Sequence, residues 1–162
     1  CWVALGAFAG LRCKEIAGLH VDDLLWDDGL LFVADGKGGK QRTVPMHEQV
    51  EDALRSLTLP ARGACFRRPR GGPYPAAQVS REGSLFFSSL GIPATMHQLR
   101  HWFGTHVQRA TGDLRTTQEL LGHASPTTTA IYTAYSQEAG RRAVSMLGVD
   151  TQRSVLSEWA AS

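Results

Sequence analysis

The chain has 162 residues, 43% of them hydrophobic and 20% charged, with a formal net charge of +2. This is one domain's worth of ordinary globular sequence, too apolar and too nearly neutral for a disordered segment. The apolar run 2–8 falls far short of the roughly 18 residues that span a bilayer, nothing has the form of a signal peptide, and Cys1, Cys13 and Cys65 are odd in number and lack metal-ligand spacing. Reduced thiols in a soluble cytoplasmic protein, with no membrane partner, are therefore expected.

In chain order, Trp2–Phe8 reads as a helix, Gly10 breaks it, and residues 12–17 read as a second short helix closed by Gly18, which puts Arg12 at a helix start. Residues 30–34 and 41–45 read as strands around Asp35-Gly36-Lys37-Gly38-Gly39-Lys40, an antiparallel hairpin with lysines at its tip. Residues 48–57 have helical periodicity, and 59–74 form a Pro/Gly/Arg-rich loop with Arg62, Arg67, Arg68 and Arg70. Helices are predicted over Ala76–Ser89, 95–110, Leu114–Leu121, 127–135, 138–147 and 151–160, punctuated by Gly91, Gly112, Gly122, Pro126 and Gly148. The expected fold is mainly α, with a small antiparallel β-hairpin or sheet of at most three strands. The opening at Cys1, directly in an apolar helical run, suggests a piece of something longer.

Charge is uneven. Up to Pro60 there are six Lys or Arg against nine Asp or Glu, and from Ala61 onward eleven against six, so the halves carry −3 and +5. Fourteen of the 17 basic residues are Arg, whose planar fork matches phosphate oxygens in two-point contacts. Phosphate is a candidate ligand, although composition alone equally fits Arg standing in for Lys.

His97 and Arg100 fall about 60° apart around a helix and can address one ligand together. In Leu121-Gly122-His123-Ala124-Ser125-Pro126-Thr127-Thr128-Thr129-Ala130-Ile131-Tyr132, an unbroken helix would turn His123 and Tyr132 to opposite faces. Gly122 and Ser125-Pro126 interrupt it, so a turn can bring both to one site. His97 and His101 also have the spacing of a helical zinc pair, but the metalloprotease pattern needs a glutamate where Gln98 stands, and Arg100 would set positive charge beside the cation.

These segments resemble the catalytic domain of the tyrosine recombinases, the family of phage integrases and chromosome-resolving recombinases. Its first arginine motif is matched by Ala9-Gly10-Leu11-Arg12-Cys13-Lys14-Glu15-Ile16 and its hairpin lysine by Gly36-Lys37-Gly38-Gly39-Lys40-Gln41-Arg42. His97-Gln98-Leu99-Arg100-His101 matches the central motif, and Leu121-Gly122-His123 the third, with Tyr132 nine residues later. The resemblance covers nearly the whole chain, implies a single catalytic domain over 1–162 truncated at its amino-terminal edge, and leaves the family's core-binding domain absent.

The resemblance implies roles for these residues. A phosphodiester is a charged, poor electrophile, so attack on it needs donors for the charge growing on the nonbridging oxygens; Arg12, Arg100 and His123 supply them. Tyr132 is the nucleophile, forming a 3′-phosphotyrosyl link, with Tyr135 the alternative. Lys37, or Lys40 in its place, protonates the 5′ oxygen, and His97 accepts or positions the tyrosine proton. No metal or nucleotide cofactor is required. His101 is read as a buried support, and Trp102 and Phe103 as core.

Double-stranded DNA is the expected partner. Gln78 and Arg81 would reach base edges, while Arg67, Arg68, Arg70 and Lys40 would hold the backbone. The tail helix, with Val155, Leu156 and Trp159, would dock on a neighbour in a homotetramer on paired sites, or else fold back onto its own domain, the protein being a monomer without DNA. A nucleoid-associated recombinase of a phage or mobile element, in a bacterial or host-cell cytoplasm, fits this reading. A type IB topoisomerase-like DNA-relaxing enzyme and a catalytically silent DNA-binding module are the alternatives.

Overall fold

This computed structural model describes residues 1–34, 41–122 and 137–148. Helix α1 (Trp2–Phe8) buries Leu5, Gly6 and Ala7 against α5 (Met96–Thr111). The helices come close because Gly6 has no side chain: a Cβ there would stand 3.0 Å from Leu99 Cδ1. The chain then turns at Gly10, whose φ of +61° is left-handed and favours glycine. A Cβ on Gly10 would meet the Phe103 ring at 2.5 Å. Phe103 is fully buried, so the turn leading into α2 (Cys13–Ala17) is pressed against the centre of the core.

A single 3-10 turn (Val21–Asp23) leads into an antiparallel sheet of order β1-β2-β3, with β1 at Leu24–Leu25, β2 at Leu30–Val33 and β3 at Arg42–Pro45. Strands β2 and β3 pair from Leu30 opposite Pro45 to Val33 opposite Arg42, which gives the expected hairpin. The two-residue β1, pairing Leu24 with Leu31 and Leu25 with Leu30, is too short to show an alternating pattern.

Helices α3 (Glu48–Arg55), α4 (Ala76–Ser89), α6 (Leu114–Leu121) and α7 (Gln137–Ser145) complete the framework. Helix α3 ends two residues before the predicted limit, and the chain after α7 tightens into a 3-10 turn at Met146–Gly148. Residues 59–74 hold no helix or strand; isolated bridges of Ala64 to His20 and of Arg67 to Pro73 secure the loop. The start of α5 is fixed by a reciprocal cap in which Gln98 Oε1 accepts the Thr95 backbone N–H at 2.8 Å. Its end, and that of α6, falls at a left-handed glycine, Gly112 and Gly122 respectively. Leu5, Leu11, Ile16, Leu31, Leu54, Phe103 and Leu120 form the centre of the core. No helix among the described residues is long and apolar enough to cross a membrane.

Candidate active site

The site is organised around a carboxylate. Glu15 follows Arg12 by three residues, which places it over the first turn of α2. The Arg12 backbone N–H donates to Glu15 Oε2 and the Arg12 Nη1 to Oε1, both at 2.8 Å. From β3, Arg42 donates Nη1 to Oε1 and Nη2 to Oε2, both at 2.9 Å, a two-point contact of the kind guanidinium geometry favours. From α5, Arg100 brings Nη1 to 3.8 Å from Oε2. The Glu15 side chain is 1% exposed, those of Arg42 and Arg100 are 7%, and that of Arg12 is 27%. Arg12 is therefore the guanidinium of the three that opens most to solvent.

Arginines also hold the end of α6. Arg42 donates Nε to the Leu120 carbonyl at 2.9 Å, and Arg100 donates Nη2 to the Leu121 carbonyl. Arg100 Nη1 donates to the Gly10 carbonyl at 2.5 Å. A helix carboxyl end carries unsatisfied carbonyls and partial negative charge, both of which favour cations there. Hydrogen bonds to described residues engage two of the five N–H donors of Arg100.

Three guanidiniums facing one carboxylate leave two positive charges in excess among the described residues. Burial alone would push the Glu15 carboxyl up, but the hydrogen bonds and charge of Arg42, the Arg12 backbone N–H and the charge of Arg100 outweigh it and hold the group below its ordinary value. Burial, then the charges of Arg12 and Arg42, lower Arg100 to about 10 against the opposing pull of Glu15. It stays protonated at neutral pH. A desolvated, cationic, preformed set of N–H donors suits an anion, and above all one whose charge grows during reaction.

His97 does not join this cluster. It is exposed, and its Nε2 lies 2.9 Å from that of His101, the rings edge to face with centroids 4.5 Å apart. The expectation of a buried His101 is overturned. The buried face of α5 is taken by Met96, Leu99, Arg100, Trp102, Phe103, Gly104 and Val107, which leaves positions 97 and 101 together on the outer side. Trp102 and Phe103 lie in the core as expected. Among the described residues no group of three or more His, Cys, Asp or Glu is placed to hold a metal ion.

Of the predicted site residues, the structure brings Arg12 and Arg100 together through Glu15. Lys37, Lys40, His123, Tyr132, Tyr135, the predicted helix 127–135 and the tail 151–160 lie outside the described residues. Gln78 is half-buried and Arg81 exposed, three residues apart on α4, with Arg81 Nη2 3.0 Å from Glu82 Oε1. Arg68 and Arg70 are exposed. Arg67 is also exposed, but its guanidinium donates to the carbonyls of Arg62 and Ala64 in its own loop. Two site residues, Glu15 and Arg42, were given no role by sequence reasoning. Both stand inside the quoted motifs, and the three-residue spacing of Arg12 and Glu15 was the available signal.

The sequence pattern of the phage integrase family matches residues 1–139. The chain belongs to this family. Tyrosine recombinase XerC of Brucella suis biovar 1 is 43% identical over 152 residues, covering 89% of this chain and 44% of the relative. Among solved structures, the integrase from mycobacterium phage Brujita superposes with a TM-score of 0.75 at 36% identity, over 90% of this chain and 50% of that one. The XerH site-specific recombinase bound to difH substrate, in a pre-cleavage complex, gives a TM-score of 0.63 at 26% identity, over 85% and 42%. This phage integrase family chain thus spans about half the length of the relatives it matches.

Proposed function

We propose that the chain is the catalytic part of a site-specific DNA recombinase that breaks and rejoins strands through a 3′-phosphotyrosyl intermediate. The observation that carries this reading is the cationic cluster around a buried carboxylate: Arg12 and Arg100, the arginines of two separate family motifs, share Glu15 and leave positive charge unneutralised.

In the proposed reaction a scissile phosphate lies against Arg12 and Arg100. The Tyr132 hydroxyl attacks phosphorus, the bond to the 5′ oxygen breaks, and the strand is held as a 3′-phosphotyrosyl ester. His97 accepts or positions the tyrosine proton, and Lys37 delivers a proton to the departing 5′ oxygen. Arg12, Arg100 and His123 stabilise the charge on the nonbridging oxygens in the transition state. Rejoining reverses these steps with a 5′ hydroxyl from a second duplex, because the ester retains the energy of the phosphodiester. The partners in this proposal are double-stranded DNA and three further copies of the protein on paired sites, in a bacterial or host-cell cytoplasm.

The test is strand exchange between two labelled duplexes whose sites the protein has selected from a random pool, run in a chelator. Recombinant duplexes are expected. Relaxation of a supercoiled plasmid without exchange would indicate a topoisomerase, and binding without strand breakage a silent module.

A further inference from the structure

We propose that Arg42 is a positioning residue for strand cleavage: through Glu15 it sets the guanidinium of Arg12, and through the Leu120 carbonyl it sets the end of α6. The inference rests on the recombinase reading and adds to it a residue outside the reaction proposed above.

Arg42 does not itself address the ligand. Its side chain is 7% exposed, and its three nitrogens are directed inward, Nη1 and Nη2 to Glu15 and Nε to Leu120. By binding both carboxylate oxygens it fixes the plane of the Glu15 carboxyl. Arg12 bonds to that carboxyl through one side-chain nitrogen, Nη1, so the angle at which Arg12 emerges follows from the position of Glu15. Arg12 is the more exposed of the pair, 27% against 7% for Arg42, and its guanidinium is the one left open to a ligand.

Two further contacts locate Arg42 at a junction. It pairs with Val33 at the last rung of β2 and β3, so the connection carrying Lys37 and Lys40 is anchored at its base by the same residue that holds Glu15. It also packs on Gly122, where a Cβ would come 3.0 Å from Arg42 Nη1 and 3.1 Å from Cδ. A side chain at position 122 would crowd the planar fork where it lies between α2 and α6. Buried ion pairs of this kind add little to stability compared with apolar packing, since desolvation offsets attraction. What the pair supplies is a fixed geometry, and in catalysis fixed geometry of charge donors is what lowers the barrier.

The test uses the full chain carrying Arg42→Lys, which keeps the charge and loses the fork, on a nicked duplex bearing a selected site. Single-turnover cleavage should fall about 10²-fold, with DNA affinity within about threefold of the unmutated protein. A methylphosphonate at the scissile position replaces one nonbridging oxygen by a methyl group and is uncharged, so on that substrate the deficit should shrink to about tenfold or less. The pair Arg12→Ala with Arg42→Lys should lose less than the product of the two single losses, because residues acting as a unit do not add. Cleavage by Arg42→Lys at the unmutated rate, an equal deficit on both substrates, or multiplied losses would each overturn the proposal. If Arg42→Lys does not fold, the pair Glu15→Gln with Arg42→Gln leaves no buried charge unpaired at these positions and carries the same comparison. Rescue by methylphosphonate supports the proposal and its absence rejects it. Failure of the unmutated protein to form any adduct would instead count against the recombinase reading.

Discussion

Glu15 and Arg42 stand 27 residues apart in sequence and meet through two N–H···O bonds of 2.9 Å, one to each carboxylate oxygen. Arg12 and Arg100 approach the same carboxylate, so its charge state governs the whole cluster.

Acid should weaken the cluster around Glu15. Because the folded protein holds the Glu15 carboxyl below its ordinary value of 4.5, its contribution is complete above that value and is lost as pH falls through the folded value. Unfolding free energies from urea titrations should decline below about pH 4.5. Glu15→Gln should lower stability by about 3 kcal/mol at neutral pH and show a shallower decline in acid. An unchanged acid slope would remove Glu15 from this role.

The two excess positive charges should bind a small anion. Inorganic phosphate should raise the melting temperature saturably, with stabilisation of about 1.4 kcal/mol at ten times its dissociation constant. The saturable part should vanish in Arg12→Ala, which removes the more exposed guanidinium. An equal rise in both proteins would indicate only a general salt effect.

The His97 and His101 rings touch on the outer side of α5, and removing an exposed ring there should cost little stability, within about 0.5 kcal/mol. His101→Ala should therefore melt like the unmutated chain. If His101 orients His97 for proton transfer, cleavage should drop about tenfold or more. Unchanged cleavage would show that the contact is incidental.

The proposed DNA contacts divide by kind. Replacing Arg68 or Arg70 with Ala should weaken binding to all sequences alike and reduce the slope of log affinity against log salt by about 1 each. Replacing Arg81 should relax preference at one or two base pairs and leave others unchanged. Arg67 is bonded to its own loop, so its removal should loosen residues 62–67 before it alters the salt slope. Uniform weakening by Arg81→Ala would exclude base reading.

Much of the framework was legible because local chemistry dictates it. The Thr95 and Gln98 cap and the left-handed glycines at 112 and 122 mark helix ends in the sequence itself, and Asp113 caps α6 by accepting the Arg115 backbone N–H at 2.8 Å. Strand β1 was not legible, since two residues carry no period. Arg12 and Arg100 were found by motif, but their meeting at Glu15 was not. A glutamate three residues after an arginine reads locally as an ordinary surface pair, and only the arrival of β3 and α5 converts it into a buried junction. The error at His101 has a simpler cause: the apolar positions 96, 99, 103 and 107 trace the buried stripe of α5, and position 101 falls outside it.

The most direct measurement is to trap the protein on a nicked duplex bearing a selected site, digest the adduct, and identify by mass spectrometry the residue that carries the phosphodeoxyribose. The account predicts a single modified peptide with the 3′-phosphate on Tyr132, and no adduct from Tyr132→Phe, which should still bind DNA because it loses one hydroxyl and no charge. Modification of Tyr135, or an adduct formed by Tyr132→Phe, would contradict it.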